Sequence, residues 1–253
     1  MSDTEDLLIP LRLTPGVESI TLRSLRGRDE IVIQNTGTKN LLSFLESLIQ
    51  SEQSTNKINS SQIVTADRDR LLALFYISLY GAKIESTVSC KECDQKFDLD
   101  FRLDELLQHY QPSTSILLNS GKYELESGVC FRLPNGEDEI LIEGLNIEEA
   151  EKQLFERCLL MGDIETDKEK VQQKMAELAP LLTMNMQTIC PECSHVQEVR
   201  FDMQSFFLTK LNQEKSGLLR EIHSIASHYH WSHQEILELP RNLRKQYAAL
   251  IES

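Results

Sequence analysis

Four cysteines in two Cys-x-x-Cys pairs are the residues of this chain best suited to chemistry. The pairs are Cys90 with Cys93 and Cys190 with Cys193, and each pair can present two thiolates from one tight turn. Four thiolates are the ligand set of a closed, tetrahedral structural zinc site. The sequence therefore predicts one structural Zn2+ per chain, bound by these four residues. Because a closed site leaves no position open for a substrate, we predict no catalytic residue and no organic cofactor.

Similar residues surround the two pairs and predict the same local structure around each. Val88 and Ile189 precede the pairs, and the alternating segments Lys96–Phe101 and Gln197–Phe201 follow them as strands would. This is the outline of a zinc ribbon built from two knuckles. Redox-active dithiols are the alternative, but such pairs open a helix in a βαβ setting. The 96 residues from Asp94 to Ile189 exceed a ribbon loop, so we expect an ordered insertion there.

Four histidines near the C-terminus form a second candidate site: His223, His228, His230 and His233. Their spacing does not match His-Glu-x-x-His, and the five-residue step from His223 to His228 does not keep both side chains on one helical face. We therefore expect the end of a helix, where histidine cations favour the helix dipole and aromatic residues pack at a corner. A metalloenzyme that uses this cluster is kept as an alternative.

The composition is that of a soluble globular protein of 253 residues, with 40% hydrophobic and 26% charged residues. The acidic N-terminus, Met1–Asp6, does not resemble a secretory signal, and no apolar run is long enough for a membrane span. We therefore expect a cytoplasmic protein with reduced thiols, in which Cys130 and Cys158 are small buried hydrophobes. The net charge of −14 disfavours phosphate binding, and a zinc-ribbon module for nucleic-acid binding or transcription is therefore an alternative only.

We predict an α+β protein in three segments. Residues 1–65 form an N-terminal β-rich segment with a helix, residues 66–202 a zinc-ribbon domain with an α/β insertion at 102–187, and residues 203–253 a C-terminal helix pair for docking. Beyond the two knuckles we identify no internal repeat. The predicted elements include two β-like runs within Ile20–Ile33, helices over Lys39–Ile49 and Ala66–Tyr80, a turn over Pro134–Glu139, and a helix from Asn146 to Met161.

Two clusters of charged residues and one set of C-terminal apolar residues can be explained by structure alone, without a binding or catalytic role. Asp67–Arg70 opens a helix, where a cap and exposed ion pairs suffice. The basic cluster Arg241, Arg244 and Lys245 is interpreted as a solvated helix face, with a docking patch for an acidic partner as the alternative. The C-terminal apolar residues either form a docking face or cover the chain's own core; they are Phe206, Phe207, Leu211, Leu218, Leu219, Ile222 and Trp231.

Several short motifs, in this order, resemble a known family. They are Ala66-Asp-Arg-Asp-Arg-Leu-Leu-Ala-Leu, Tyr80-Gly before the first cysteine pair, Phe131-Arg-Leu-Pro-Asn-Gly-Glu-Asp-Glu, Glu149-Ala-Glu-Lys-Gln-Leu-Phe-Glu-Arg-Cys-Leu, and the tail from Leu219 through His228-Tyr-His-Trp-Ser to Arg241. This pattern resembles the baseplate hub and assembly proteins of T-even-like contractile-tail phages and of extracellular contractile injection systems.

The resemblance implies a non-enzymatic role in phage tail or virion assembly. The chain would be a baseplate or hub component, or an assembly chaperone for the baseplate or tape measure. Its expected partners are other baseplate, hub, spike or tape-measure proteins, without a membrane or nucleic acid. The expected location is the bacterial cytoplasm during assembly, and retention in the assembled particle is the alternative.

Overall fold

The computed structural model describes residues 6–50, 59–112 and 121–252, and it combines helices with antiparallel strand pairs. The predicted mixture of α and β elements is confirmed. The first five residues, which carry most of the argument against a secretory signal, lie outside the described residues. Among the helices within the described ranges, none has both the length and the apolar character needed to cross a lipid bilayer.

In chain order the elements are β1 (Leu7–Pro10), β2 (Ser19–Leu22), α1 (Gly27–Ile31), α2 (Thr38–Leu48), a short 3-10 helix (Ser60–Gln62), α3 (Thr65–Tyr80), β3 (Lys83–Ser89), β4 (Lys96–Arg102), α4 (Leu103–His109), β5 (Tyr123–Glu124), β6 (Cys130–Phe131), α5 (Gly136–Ile142), α6 (Ile147–Cys158), β7 (Leu159–Met161), α7 (Lys168–Leu178), β8 (Thr183–Ile189), β9 (Val196–Asp202), α8 (Met203–Gln213), α9 (Lys215–Tyr229), α10 (His233–Glu238) and α11 (Arg241–Glu252).

The chain forms two compact units. Unit 1 contains Met1–Leu11, Val17–Gln62 and Phe207–Ser253, and unit 2 contains Arg12–Gly16 and Ile63–Phe206. Unit 1 holds the β1–β2 pair and a core in which side chains of α9, α10 and α11 meet; its buried members are Leu218, Ile222, Ile225, Ile236 and Ala248.

Unit 2 holds the β3–β4 and β8–β9 hairpins and the three-stranded sheet β5–β6–β7. Its core lies around Phe131 and includes Leu13, Phe155 and Val171 from different elements. The rings of Tyr123 and Phe131 stack with their centroids 5.6 Å apart. Apolar burial of this kind is the main favourable contribution to folding.

The same strand-to-helix motif occurs in both units, and the expectation of no further repeat was wrong. In unit 1, Arg23 forms a bidentate ion pair with Asp29, with both N–O distances at 2.8 Å. In unit 2, Arg132 forms the same pair with Asp138, at 2.6 and 2.7 Å. Each aspartate also accepts the backbone N–H of the residue three positions earlier, at 2.9 and 3.0 Å. This bond closes the first turn of α1 and of α5.

The aspartate motif explains two predictions that were wrong. The second β-like run within Ile20–Ile33 is helix α1, and the expected turn over Pro134–Glu139 contains the start of helix α5. Asn135 caps α5 by accepting the N–H groups of Glu137 and Asp138. A Gly-x-Asp-Glu sequence is typical of a turn, but here a bidentate arginine fixes the aspartate as a helix-opening acceptor. The predicted helix to Met161 ends at Cys158, and β7 follows it.

In both units the glutamate after the aspartate binds buried arginine. Glu139 accepts both Nη atoms of Arg68 at 2.7 and 3.0 Å. Glu30 accepts Arg241 and also Arg244, which lies 2.6 Å away. Arg241 and Arg244 are 4% and 0% exposed, so the interpretation of a solvated basic face was wrong for both. Removing one partner of such a buried pair typically costs about 3–5 kcal/mol.

Close approach explains the glycine at the start of α1. A Cβ atom at Gly27 would lie 2.9 Å from Leu237 Cδ2 and 3.0 Å from Arg244 Nη1. Real Cβ atoms rarely approach other heavy atoms this closely, so a larger residue would require the Leu237 or Arg244 side chain to shift. The backbone of α1 is thereby held against α10 and α11 within unit 1.

The side chains of the Asp-Arg-Asp sequence at the start of α3 are buried, so the expectation of exposed ion pairs was wrong. Asp67, Arg68 and Asp69 are 1%, 2% and 5% exposed. Asp67 accepts the backbone N–H groups of Leu13 and Thr14, both at 2.8 Å, and does not cap its own helix. Helix α3 ends at Tyr80 as predicted, and Gly81 follows it with a φ angle of 84°.

Most of the C-terminal apolar residues are buried. Phe207, Leu211, Leu218 and Ile222 are 0%, 0%, 2% and 6% exposed, whereas Leu219 is 54% exposed. This pattern favours the interpretation that these residues cover the chain's own core. Ser232 and Glu235 form a capping box at the start of α10.

We expect Asp138→Asn to destabilise the protein by about 2–3 kcal/mol at neutral pH, because charge-assisted hydrogen bonds to Asp138 are lost. Burial alone would raise the pKa of this carboxyl, but hydrogen bonds from Arg132 and Arg157 lower it overall. The stabilisation is therefore complete above the unfolded-state pKa of about 3.9 and is lost as the pH falls through the lowered pKa.

Urea unfolding from neutral to acidic pH measures this difference. The gap between the parent and Asp138→Asn should be constant near neutrality and should narrow below about pH 4. Glu148→Gln, which removes an exposed carboxylate on α6, serves as the control and should leave the free energy of unfolding nearly unchanged. A gap that stayed constant down to acid unfolding would contradict the assignment.

Candidate metal centre

Two hairpins of unit 2 carry the Cys-x-x-Cys pairs in matching positions. In the first, β3 pairs with β4 from Lys83↔Arg102 to Ser89↔Lys96. In the second, β8 pairs with β9 from Thr183↔Asp202 to Ile189↔Val196. The equivalent residues differ by 100 in number throughout. Each cysteine pair therefore lies in the same turn at the end of the same ladder.

The backbone of the two turns is also the same. Cys90 N–H donates to Gln95 O at 2.9 Å, and Cys190 N–H donates to His195 O at 2.9 Å. The residue after each second cysteine adopts a left-handed conformation, with φ of 56° at Asp94 and 58° at Ser194. Aspartate tolerates this conformation better than most residues because its side chain can bond locally. The turns thus form without the glycine that such positions usually favour.

The four sulfur atoms converge into one cluster. All of them lie within 4.8 Å of one another, and the Cys90–Cys193 and Cys93–Cys190 sulfur pairs are 3.6 and 3.7 Å apart. A tetrahedral zinc with Zn–S bonds of about 2.3 Å would place its sulfurs about 3.8 Å apart. The structure therefore brings together the four predicted ligands at a spacing that is compatible with Zn2+.

The thiols of the cluster cannot all ionise easily without a cation. The backbone N–H groups of Cys93 and Glu92 point at Cys90 and lower the pKa of its thiol to about 6. At Cys93 the backbone N–H of Gln95 lowers the pKa, but burial and three neighbouring sulfurs outweigh it and raise the pKa to about 12. Crowded like charges disfavour the ionised form. A bound divalent cation would remove this repulsion and release the remaining protons.

Gln197 joins the two hairpins beside the cysteines. This side chain is 5% exposed. Its Oε1 accepts the backbone N–H of Lys91 at 2.8 Å, and its Nε2 donates to Ser89 O at 3.1 Å. It therefore binds the backbone on both sides of Cys90. The sequence did not lead us to predict this role for Gln197. Its position could have suggested it, because a polar glutamine faces inward in an alternating strand where the first hairpin has Phe97.

Aromatic packing aligns the bases of the two hairpins. The rings of Phe101 and Phe201, which occupy equivalent positions, meet edge to face with centroids 5.0 Å apart. Phe206 at the start of α8 contacts Phe201 and Tyr76. Such aromatic pairs contribute about 0.5–1.5 kcal/mol beyond their buried area. The packed end and the cysteine end together fix the relative position of the hairpins.

Helix α3 positions both hairpins. It leads through Gly81 directly into β3, and Asp69 accepts the backbone N–H of Leu182, just before β8, at 3.1 Å. Burial raises the pKa of Asp69 to about 7, while Arg68 and this hydrogen bond oppose the rise. One helix therefore carries the first hairpin covalently and the second through a buried carboxyl group.

The histidines do not assemble into a comparable site. All four are exposed, and among residues 6–50, 59–112 and 121–252 the only group of three or more potential metal ligands is the four cysteines. Tyr229 and Trp231 pack against Tyr247, with ring centroids 5.4 and 5.0 Å from it. This is the aromatic corner expected at the end of α9.

The two remaining cysteines lie outside the cluster. Burial raises the pKa of Cys158 to about 11, as expected for a small hydrophobic side chain, whereas Cys130 is only partly buried.

We expect Cys90→Ser and Cys190→Ser each to abolish stoichiometric metal binding, because a serine hydroxyl is a poor replacement for a thiolate ligand. The purified parent should contain one zinc per chain by plasma mass spectrometry, and both variants should lose it and melt at lower temperature. Cys130→Ser, outside the cluster, is the matched control and should retain the metal. Full metal retention in both cluster variants would exclude the site.

We expect Gln197→Leu to weaken zinc binding by about 10–100-fold, the usual effect of removing a group that orients a metal ligand. The apolar side chain leaves Lys91 N–H and Ser89 O without their partner. Competition with a chromophoric chelator measures the affinity. Gln187→Leu makes the same change at an exposed position of β8 and should have little effect. Equal affinities for the two variants would show that Gln197 does not orient the site.

No protein-family model matches this chain, and neither curated proteins nor solved structures provide a match. The metal centre is therefore inferred from the chain's own geometry. Two hairpins with identical register, four converging sulfurs and one bridging glutamine are the observations that support it.

Proposed function

We propose that the two hairpins form a zinc ribbon of two knuckles with one structural Zn2+, bound by Cys90, Cys93, Cys190 and Cys193. The convergence of four sulfurs from two matched turns is the observation that carries this proposal. A site with four protein ligands has no open coordination position, so its zinc would stabilise the fold and would not activate a substrate. The ion would join β-hairpins whose cysteines lie about a hundred residues apart in sequence, where loop closure is entropically costly.

We further propose that the chain is a non-enzymatic baseplate or hub component, or an assembly chaperone, of a contractile phage tail or a related injection system. The resemblance of the segments around Asp67, Tyr80, Phe131 and His228 to that family suggests this role. The closed site supports it, since the residues best suited to chemistry would all be occupied by a structural metal. The location during assembly would be the bacterial cytoplasm, with other baseplate, hub, spike or tape-measure proteins as partners.

The two alternatives receive less support. A nucleic-acid module must overcome a net charge of −14, which repels phosphate. A metalloenzyme would need histidines that converge, whereas His223, His228, His230 and His233 are exposed side chains spread over α9 and the start of α10. The metalloenzyme alternative also does not account for the matched hairpins.

Deletion of the gene in the bacterium or phage that encodes this chain tests the assembly role. Electron microscopy of the deletion strain should show no contractile particles, and expression of the parent chain should restore them. Expression of Cys130→Ser should restore them equally, whereas Cys90→Ser should restore few or none. Normal, contractile particles in the deletion strain would refute an assembly role. Mass spectrometry of purified particles then shows whether the chain is retained.

A further inference from the structure

The two hairpins share one register, so their side chains can be compared position by position. They differ in polarity on the outer face, beside the cysteines. In the first hairpin the cross-strand pair next to the turn is Ser89 and Lys96. In the second it is Ile189 and Val196, which are 63% and 58% exposed. Large apolar side chains that stay exposed as a directly paired set, at positions where the matching hairpin is polar, indicate a contact surface.

The rest of the first hairpin's outer face is occupied by its own polar contacts. Thr87 Oγ1 donates to Asp98 at 3.0 Å, and Lys83 binds Glu85 at 2.6 Å and lies 3.4 Å from Asp100. A face whose groups are already paired within the hairpin gains little from a partner. The apolar pair of the second hairpin has no such internal use, because outward side chains do not add to the core between the hairpins.

Acidic groups surround the apolar pair. Glu192 lies in the turn between the two residues, and Glu198 follows Val196 on the same face of β9; both are exposed. Glu92 and Asp94 are exposed in the facing turn, where Lys91 donates its ammonium group to Glu198 O at 3.2 Å. A zinc with four thiolates would add a further charge of −2. The charge around the pair therefore repels phosphate and attracts lysine or arginine.

We propose that the apolar tip, formed by Ile189 and Val196, is a docking surface for a protein segment that combines apolar side chains with lysine or arginine. The apolar groups of the segment cover the cross-strand pair, and its cations contact Glu192 and Glu198. This proposal rests on the proposed assembly function for the source of the partner. The Gln197 hydrogen bonds and the proposed zinc would hold the tip in place, so little ordering of the surface would be needed for binding.

A fluorescent peptide of leucine and lysine, added to the zinc-loaded full chain, tests the surface directly. Replacing Ile189→Ser together with Val196→Lys copies the first hairpin and should weaken binding by about tenfold or more, which corresponds to about 1.4 kcal/mol. Asn185→Lys is the charge-matched control, because it adds one lysine to the same face, opposite Arg200 and away from Glu198, and keeps the apolar pair. It should bind nearly as tightly as the parent.

Amide chemical-shift mapping on the isotope-labelled parent gives a second measurement that does not depend on any variant. The peptide should shift the signals of residues 187–198 most strongly, and a leucine–glutamate peptide should not. The proposal is overturned if the double variant binds the peptide as tightly as the parent, if the shifts are centred elsewhere, or if the glutamate peptide binds equally well. It is also overturned if duplex DNA, added without the peptide, shifts the signals of residues 187–198. These measurements need no assembled particle, so their failure leaves the deletion result unaffected, and the reverse also holds.

Discussion

Three consecutive buried side chains at the start of α3 hold unit 2 together. Asp67 binds the backbone of the segment around Thr14, Arg68 binds Glu139 on α5, and Asp69 binds the backbone just before β8. Buried charges of this kind are tolerated only when their partners are in place. The helix therefore fixes three distant segments at once, and the geometry of the cysteine cluster follows, because one hairpin leaves α3 directly and the other begins at its buried aspartate.

The same local arrangement is used twice. In each unit a bidentate arginine fixes an aspartate that opens a short helix. The next residue, a glutamate, binds a buried arginine on a second helix, and an isolated β-bridge lies just before that second helix. The bridges pair Asn135 with Val64 in unit 2 and Arg26 with Pro240 in unit 1. The equivalence extends to the hairpins, whose pairing is offset by a constant 100 residues. The strand-to-helix motif and the hairpin are therefore each used twice, with the two aspartates of the motif 109 residues apart (138 minus 29) and the hairpins 100 residues apart.

The sequence predicted best the features that are decided locally. The Cys-x-x-Cys turns and the end of α3 at Tyr80 depend on neighbouring residues, and both are present. Charged side chains were misjudged, because their partners are remote: Arg68 binds 71 residues away and Arg244 binds Glu30, 214 residues away. Composition alone cannot distinguish a solvated arginine from one that closes a buried ion pair. The Arg-x-x-x-Gly-x-Asp-Glu repeat was visible in the sequence, but its first copy was assigned to β-like runs and its second copy to a turn.

The cysteine cluster separates two tasks that a structural metal often performs together. Alignment of the hairpins has causes other than the ion, since Gln197 bonds across them at one end and Phe101 packs on Phe201 at the other. Charge balance has no such substitute. Burial and the three neighbouring sulfurs raise the pKa of Cys93, and burial with the Cys90 and Cys190 sulfurs raises that of Cys193, against the N–H groups that favour ionisation. A cation bound there would therefore act mainly by neutralising thiolates in a frame that already exists. Because the hairpins are aligned in this way, their outer faces are held in place. The face beside Ser89 is therefore a fixed polar surface, and the face beside Ile189 is a fixed apolar one.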